Sequence, residues 1–188
     1  MSIYRSVEYG LVREMYGRSV AERSQKPLID HIDEGLVILS CLGASDHARQ
    51  AWCLHPLIQS DENLSKFHED LLDNISTYAF ALAMEYRYRA NSWLSDKVFL
   101  NPETNSCQAI GKPEWSLPAT KKMLIADKVQ NYKDFCTYHQ ATHPRSRELN
   151  FYFLTWLDAL EVTPEQLKAF YIAIDIKTTL RQAEHNVP

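Results

Sequence analysis

Apolar positions recur every three or four residues near the N-terminus, at Ile3, Val7, Leu11, Val12 and Met15, and again at Leu36, Ile38, Leu39 and Leu42. That spacing puts each set on one face of a 3.6-residue helix and predicts two helices at the start of the chain. Gly43 fits a C-cap after the second. Ser45 or Asp46 can N-cap a third helix running through Ala51, Trp52, Leu54 and Leu57. Pro56, late in that helix, should bend or end it.

From Glu62 to Ser95 the steps of three or four continue through Leu64, Phe67, Leu71, Leu72, Ile75, Tyr78, Leu82 and Tyr86, predicting one long helix or two joined end to end. Residues 96–120 break the pattern with Asn101, Pro102, Asn105, Gly111, Pro113 and Pro118, and read as a surface loop or flap. Helices are expected again over 119–139, over 145–160 and from 164 to about 184. The last carries Thr163 as N-cap, Pro164 at N1 and Gln166 at N3. No alternating strand pattern competes, and no internal repeat is found. The expectation is an all-α bundle, a single domain over 1–188.

Composition narrows the classes of function. Apolar residues at 45% and charged residues at 23% are the proportions of an ordinary globular chain, and 188 residues suffice for one core without disulfides. A formal charge of -4 argues against a broad nucleic-acid surface, while small anionic ligands stay compatible. The cysteines Cys41, Cys53, Cys107 and Cys136 form no CxxC motif, which favours a reducing, cytoplasmic setting. No apolar stretch approaches the roughly 18 residues of a membrane span, so neither secretion nor a membrane partner is expected. A homo-oligomer is compatible with the composition.

Three segments place His or Asp inside otherwise apolar helical stretches: KPLIDHIDEGLVIL at 26–39, AWCLHPLIQSDENL at 51–64 and LIADKVQNYKDF at 124–135. A polar group in such a place costs free energy unless it is hydrogen-bonded or bound to metal. Taken in order, the segments resemble the HD phosphohydrolase superfamily, most closely its RelA/SpoT-type (p)ppGpp-hydrolase branch. Arg23, Pro27, Ile29 and His31 match the pattern around the family's first His. Ala51, Leu54 and His55 match that around the second, and Ala126, Asp127, Lys128 and Asn131 that around the final Asp. The resemblance covers roughly residues 11–135.

The departures are at the second motif. Pro56 stands where the family has the Asp of its His-Asp pair, and Gln59 and Ser60 stand where it has a Glu-Asp pair. The resemblance therefore implies an HD-like bundle whose remaining ligands are His31, His55 and Asp127. Two imidazoles and a carboxylate can hold Mn, Fe, Co, Ni or Zn with positions left open, or no metal at all if the site is degenerate. Arg23, Lys26, Arg89 and Asn131 are candidates to orient a phosphate or base. Asp61 and Glu62 are candidate general bases, although Glu62 would lie about 10.5 Å along the axis from His55 if the helix continued.

The expected function is metal-dependent hydrolysis of a nucleotide or related phosphorylated metabolite. Two alternatives stay open: a catalytically inactive HD-like domain that binds a nucleotide or protein partner as a regulator, and an iron oxygenase using the same trio. His139 and His143 are spaced for metal binding only if helical, and Pro144 disfavours that.

Overall fold

The computed structural model describes residues 2–22, 24–66, 73–95 and 117–185. Helix α1 (Val7–Tyr16) starts where the Ser6 side chain accepts a hydrogen bond from the Tyr9 amide, after a single 3-10 turn at Ile3–Arg5. Gly17, at a positive φ, ends it and opens a loop closed by an antiparallel bridge between Val20 and Pro27. That loop leads into α2 (Ile29–Cys41), which stops at Gly43 with φ of 58°. Ser45 then N-caps α3 (Asp46–Ile58) through the Ala48 amide, as expected from the sequence.

Helix α3 continues past Pro56 to Ile58, after which Ser60 in an extended conformation N-caps a new short helix, α4 (Asp61–Ser65). The one long helix, or two joined end to end, predicted from 62 to 95 is thus not continuous, since residues 73–76 are non-helical. Its second part, α5 (Thr77–Ser95), begins where the Ser76 amide donates to the buried Glu8 carboxylate of α1. Glu8 lies 68 residues from Ser76 along the chain, so hydrophobic periodicity cannot show this helix start. Most of the loop or flap expected over about 96–120 falls outside the described residues, and its far end is already helical from Pro118.

Helix α6 (Pro118–Asp134) has its proline in the first turn, and its end widens to π geometry over Phe135–His139, with the Gln140 amide bonded to the Phe135 carbonyl. Helix α7 (Ser146–Ala159) follows. The Thr163 and Gln166 side chains bond reciprocally to each other's amides at the start of α8 (Pro164–His185), the predicted capping box. The described residues form an all-α bundle, and none of its helices is long and apolar enough to cross a membrane.

Helix α3 is the centre of this bundle. It packs on α1, α2, α5 and α6, while α2 packs on α6 and α8. Trp52 of α3 is fully buried and lies against α2 at Gly35, where an added Cβ would come within 2.2 Å of the indole Cζ2. Its indole N–H donates to the Ile32 carbonyl at 3.0 Å. The absent side chain at 35 thus sets how closely α2 and α3 approach. Gly35→Ala should force them apart, costing about 1–3 kcal/mol of overpacking strain or more. A lowered urea midpoint with unchanged m-value would show it, and an unchanged midpoint would mean that the contact is not limiting.

Candidate metal centre

Three helices supply the centre: His31 stands in the first turn of α2, His55 near the end of α3, and Asp127 midway along α6. Their ligand atoms all lie within 4.8 Å of one another. His31 Nε2 is 3.4 Å from His55 Nε2 and 3.8 Å from Asp127 Oδ1. Ligand atoms about 2.1 Å from a shared ion are separated by about 3 to 4.2 Å, so both His31 separations suit a common ion. The trio named from the sequence is thereby brought together.

Hydrogen bonds on the far side of each ring fix what these atoms present. Gln130 donates its amide N–H groups to the Glu34 and Asp134 carboxylates, at 3.1 and 2.8 Å. Its Oε1 must then be the atom facing His31 Nδ1 at 2.7 Å, and Nδ1 must carry the hydrogen. His55 Nδ1 likewise donates to the Trp52 carbonyl at 2.6 Å. With Nδ1 bonded in each ring, Nε2 of His31 and Nε2 of His55 turn toward each other, and His31 Nε2 also faces the Asp127 carboxylate. A metal ion between these atoms would satisfy such a convergence.

Burial, and then neighbouring His31, pushes the His55 pKa down to about 3, so this ring stays neutral at pH 7. Burial alone would raise Asp127. Lys128 foremost outweighs it and holds the carboxyl below its ordinary value. Lys128 Nζ is 2.7 Å from Asp127 Oδ2, is itself buried, and lies 4.9 Å from the centre of the Trp156 ring. Asn131 donates to Asp127 Oδ1 at 2.7 Å, and the buried Tyr86 hydroxyl also bonds this carboxylate.

The centre opens into a cleft of about 750 Å³. His31, His55, Asp127, Lys128 and Asn131 share it with Tyr16, Gln59, Tyr86, His139 and His143, and Met15, Leu28, Phe135 and Phe153 give it apolar walls. His139 belongs to the π turn and His143 to the turn beyond, where its Nδ1 accepts from the Arg145 amide at 3.0 Å. Neither joins the trio.

The other expected residues are dispersed. Asp61 is 97% exposed and paired with Arg87, while Glu62 is exposed and bonded to Lys66 at 2.7 Å. Neither lines the cleft, because the Ser60 cap starts a separate helix and ends the α3 direction. Lys26 lies 5.9 Å over the Tyr138 ring, and Arg89 stacks at 5.5 Å on Tyr88. Lys26 and Arg89 are not among the cleft residues. Arg23 lies outside the described residues. Asn131, expected to meet substrate, instead donates to the Asp127 oxygen that faces His31.

Sequence reasoning gave no role to Lys128, Tyr86 or Gln130. Lys128 adjoins Asp127 in the matched motif, but charged residues are seldom buried and nothing in the pattern marks this one. Compared with protein-family models, with curated proteins and with solved structures, the chain gives no significant match.

The buried neutral His55 has a pH signature. The unfolded chain takes up a proton at this ring near pH 6.5 and the folded chain only near 3. Stability present above pH 6.5 is therefore lost as pH falls through that window, by up to about 1.4 kcal/mol per pH unit. Urea unfolding in chelator at pH 7, 6 and 5 should show this slope, and His55→Gln should flatten it. Equal slopes in the two proteins would place the titration elsewhere.

Proposed function

We propose that this chain is a metal-dependent phosphohydrolase acting on a nucleotide or related phosphorylated metabolite, with His31, His55 and Asp127 holding one divalent transition metal. The observation that carries the reading is the pair of Nε2 atoms facing each other at 3.4 Å beside a buried carboxylate, at the floor of a cleft of substrate size. The ordered resemblance to HD motifs adds the reaction class. A metal ion bound there would lower the pKa of a water ligand and polarise a phosphoryl oxygen.

The chain's own residues do the rest. Gln130 and the Trp52 carbonyl keep both imidazoles in the Nδ1–H form. Asn131, Tyr86 and Lys128 hold Asp127 ionised and oriented. Aromatic walls at Phe135 and Phe153 suit the stacking of a base, and the reading routes no proton through Asp61 or Glu62.

Protein purified without added metal should carry, or accept from Mn, Fe, Co, Ni or Zn, about one equivalent per chain. His55→Ala should lose it, as read by elemental analysis, and nucleotide phosphate release should depend on the bound ion. A wild-type chain that none of these ions loads would end the proposal.

A second reading, a catalytically inactive domain binding a nucleotide or protein partner, is favoured by one observation: Lys128 already gives Asp127 a cation at 2.7 Å. Lys128→Met separates the two. Removing one member of a buried pair should destabilise the metal-free protein by about 3–5 kcal/mol. On the metal reading, added Zn²⁺ restores much of this, giving a larger rise in Tm than in wild type. On the second reading the loss is not recovered by any of the five ions.

A further inference from the structure

Helix α3 runs through Pro56, and the amide hydrogen that a proline lacks is the one that would bond the carbonyl four residues back, at Trp52. That same carbonyl accepts from His55 Nδ1 at 2.6 Å. We infer that Pro56 is a positioning residue for the metal centre: by withholding its N–H it leaves the Trp52 carbonyl to His55, which fixes that ring as the Nδ1–H form with Nε2 turned toward His31 and Asp127. The inference deepens the metal reading proposed above and rests on it.

The chemistry is one of competition for an acceptor. In an uninterrupted helix the amide of residue i+4 approaches the carbonyl in line, and an imidazole at i+3 is left an oblique, weakened approach. With residue 56 a proline, the in-line donor is gone, and the proline ring also displaces the carbonyl it would otherwise meet. A buried carbonyl left without a donor is costly, so the imidazole satisfies it and is held by it. His31 reaches the same tautomer through a side chain of another helix, Gln130, whereas His55 does so within its own helix. The residue that removes a ligand from the resembled motif thus orients a ligand that remains.

The test compares wild type, Pro56→Ala, and a chain carrying lactic acid in place of Pro56, whose ester linkage has neither ring nor N–H. Three quantities are measured: Zn²⁺ affinity by chelator competition, Tm, and the nitrogen chemical shifts of His55 in metal-free protein, which report its tautomer. Pro56→Ala, which restores the donor, should weaken Zn²⁺ binding about 10- to 100-fold, the range seen when a support of a metal-bound histidine is lost. Its Tm should be unchanged or raised, because alanine suits a helix better than proline, and its His55 signals should move toward a mixture of tautomers. The lactic acid chain should keep the wild-type tautomer and affinity.

Wild-type affinity and tautomer in Pro56→Ala would overturn the inference, as would equal losses in both altered chains, which would assign the effect to the ring rather than the missing hydrogen. A wild-type chain that binds no Zn²⁺ or other ion would remove the metal reading, and with it the positioning role of Pro56. Wild-type metal binding with an indifferent Pro56→Ala leaves that reading standing and sinks this inference alone.

Discussion

Trp52 governs the geometry on which the site depends. Its ring occupies the space left by the missing side chain of Gly35, its indole N–H is bonded to Ile32, and its faces and edges meet the rings of His31, His55 and Tyr86 with centroids 5.1, 4.3 and 6.5 Å away. Its backbone carbonyl then takes the His55 Nδ1 hydrogen. One fully buried side chain therefore sets the separation of α2 and α3, and with it the 3.4 Å between two imidazole nitrogens. Close packing transmits such a constraint because an interior of organic-crystal density has no slack to absorb a shift.

A second constraint is electrostatic. Asp127 and Lys128 are both buried, and each would be neutralised by burial alone. Together they stay charged, the lysine raised and the aspartate lowered, with Tyr152 and Trp156 around the ammonium and Asn131 and Tyr86 on the carboxylate. Behind His31, Glu34, Lys133 and Asp134 form another cluster, with Lys133 at 2.8 and 2.9 Å from the two carboxylates. Gln130 bridges this cluster to the ring. Charge buried at this cost is seldom arranged for stability, since apolar replacements of similar volume often do as well.

The helices and their caps were legible because they follow from local chemistry: Ser45, the Thr163–Gln166 pair and Gly43 act within a turn of themselves. The trio was legible for another reason, namely polar residues placed in order inside apolar segments. What the sequence could not display were consequences of long-range partners. The one helix or two joined helices predicted across 62–95 are instead α4 and α5, the second starting where Glu8 meets the Ser76 amide, and Asp61 and Glu62 leave the site because Ser60 redirects the chain. Tyr86 steps in phase with core positions and so reads as packing. Lys128 stands in the matched motif, but its burial depends on α7, which brings Tyr152 and Trp156 over it.

Counting charge at the floor of the cleft turns the departure from the resembled motif into an argument about substrate. On the proposed reading a divalent ion meets one carboxylate, Asp127, with Lys128 beside it. Those three groups sum to two positive charges. With an Asp in place of Pro56 the sum would be one. At roughly 4 Å and an effective dielectric of about 20, each unit of charge is worth about 4 kcal/mol of attraction to an anion before its own desolvation is counted. The loss of a ligand therefore leaves a floor more strongly positive than the full motif would, in a chain whose formal charge is -4. A neutral molecule gains nothing from that field. An anionic phosphoryl group does, so on that reading the charge at the floor suits the substrate class proposed.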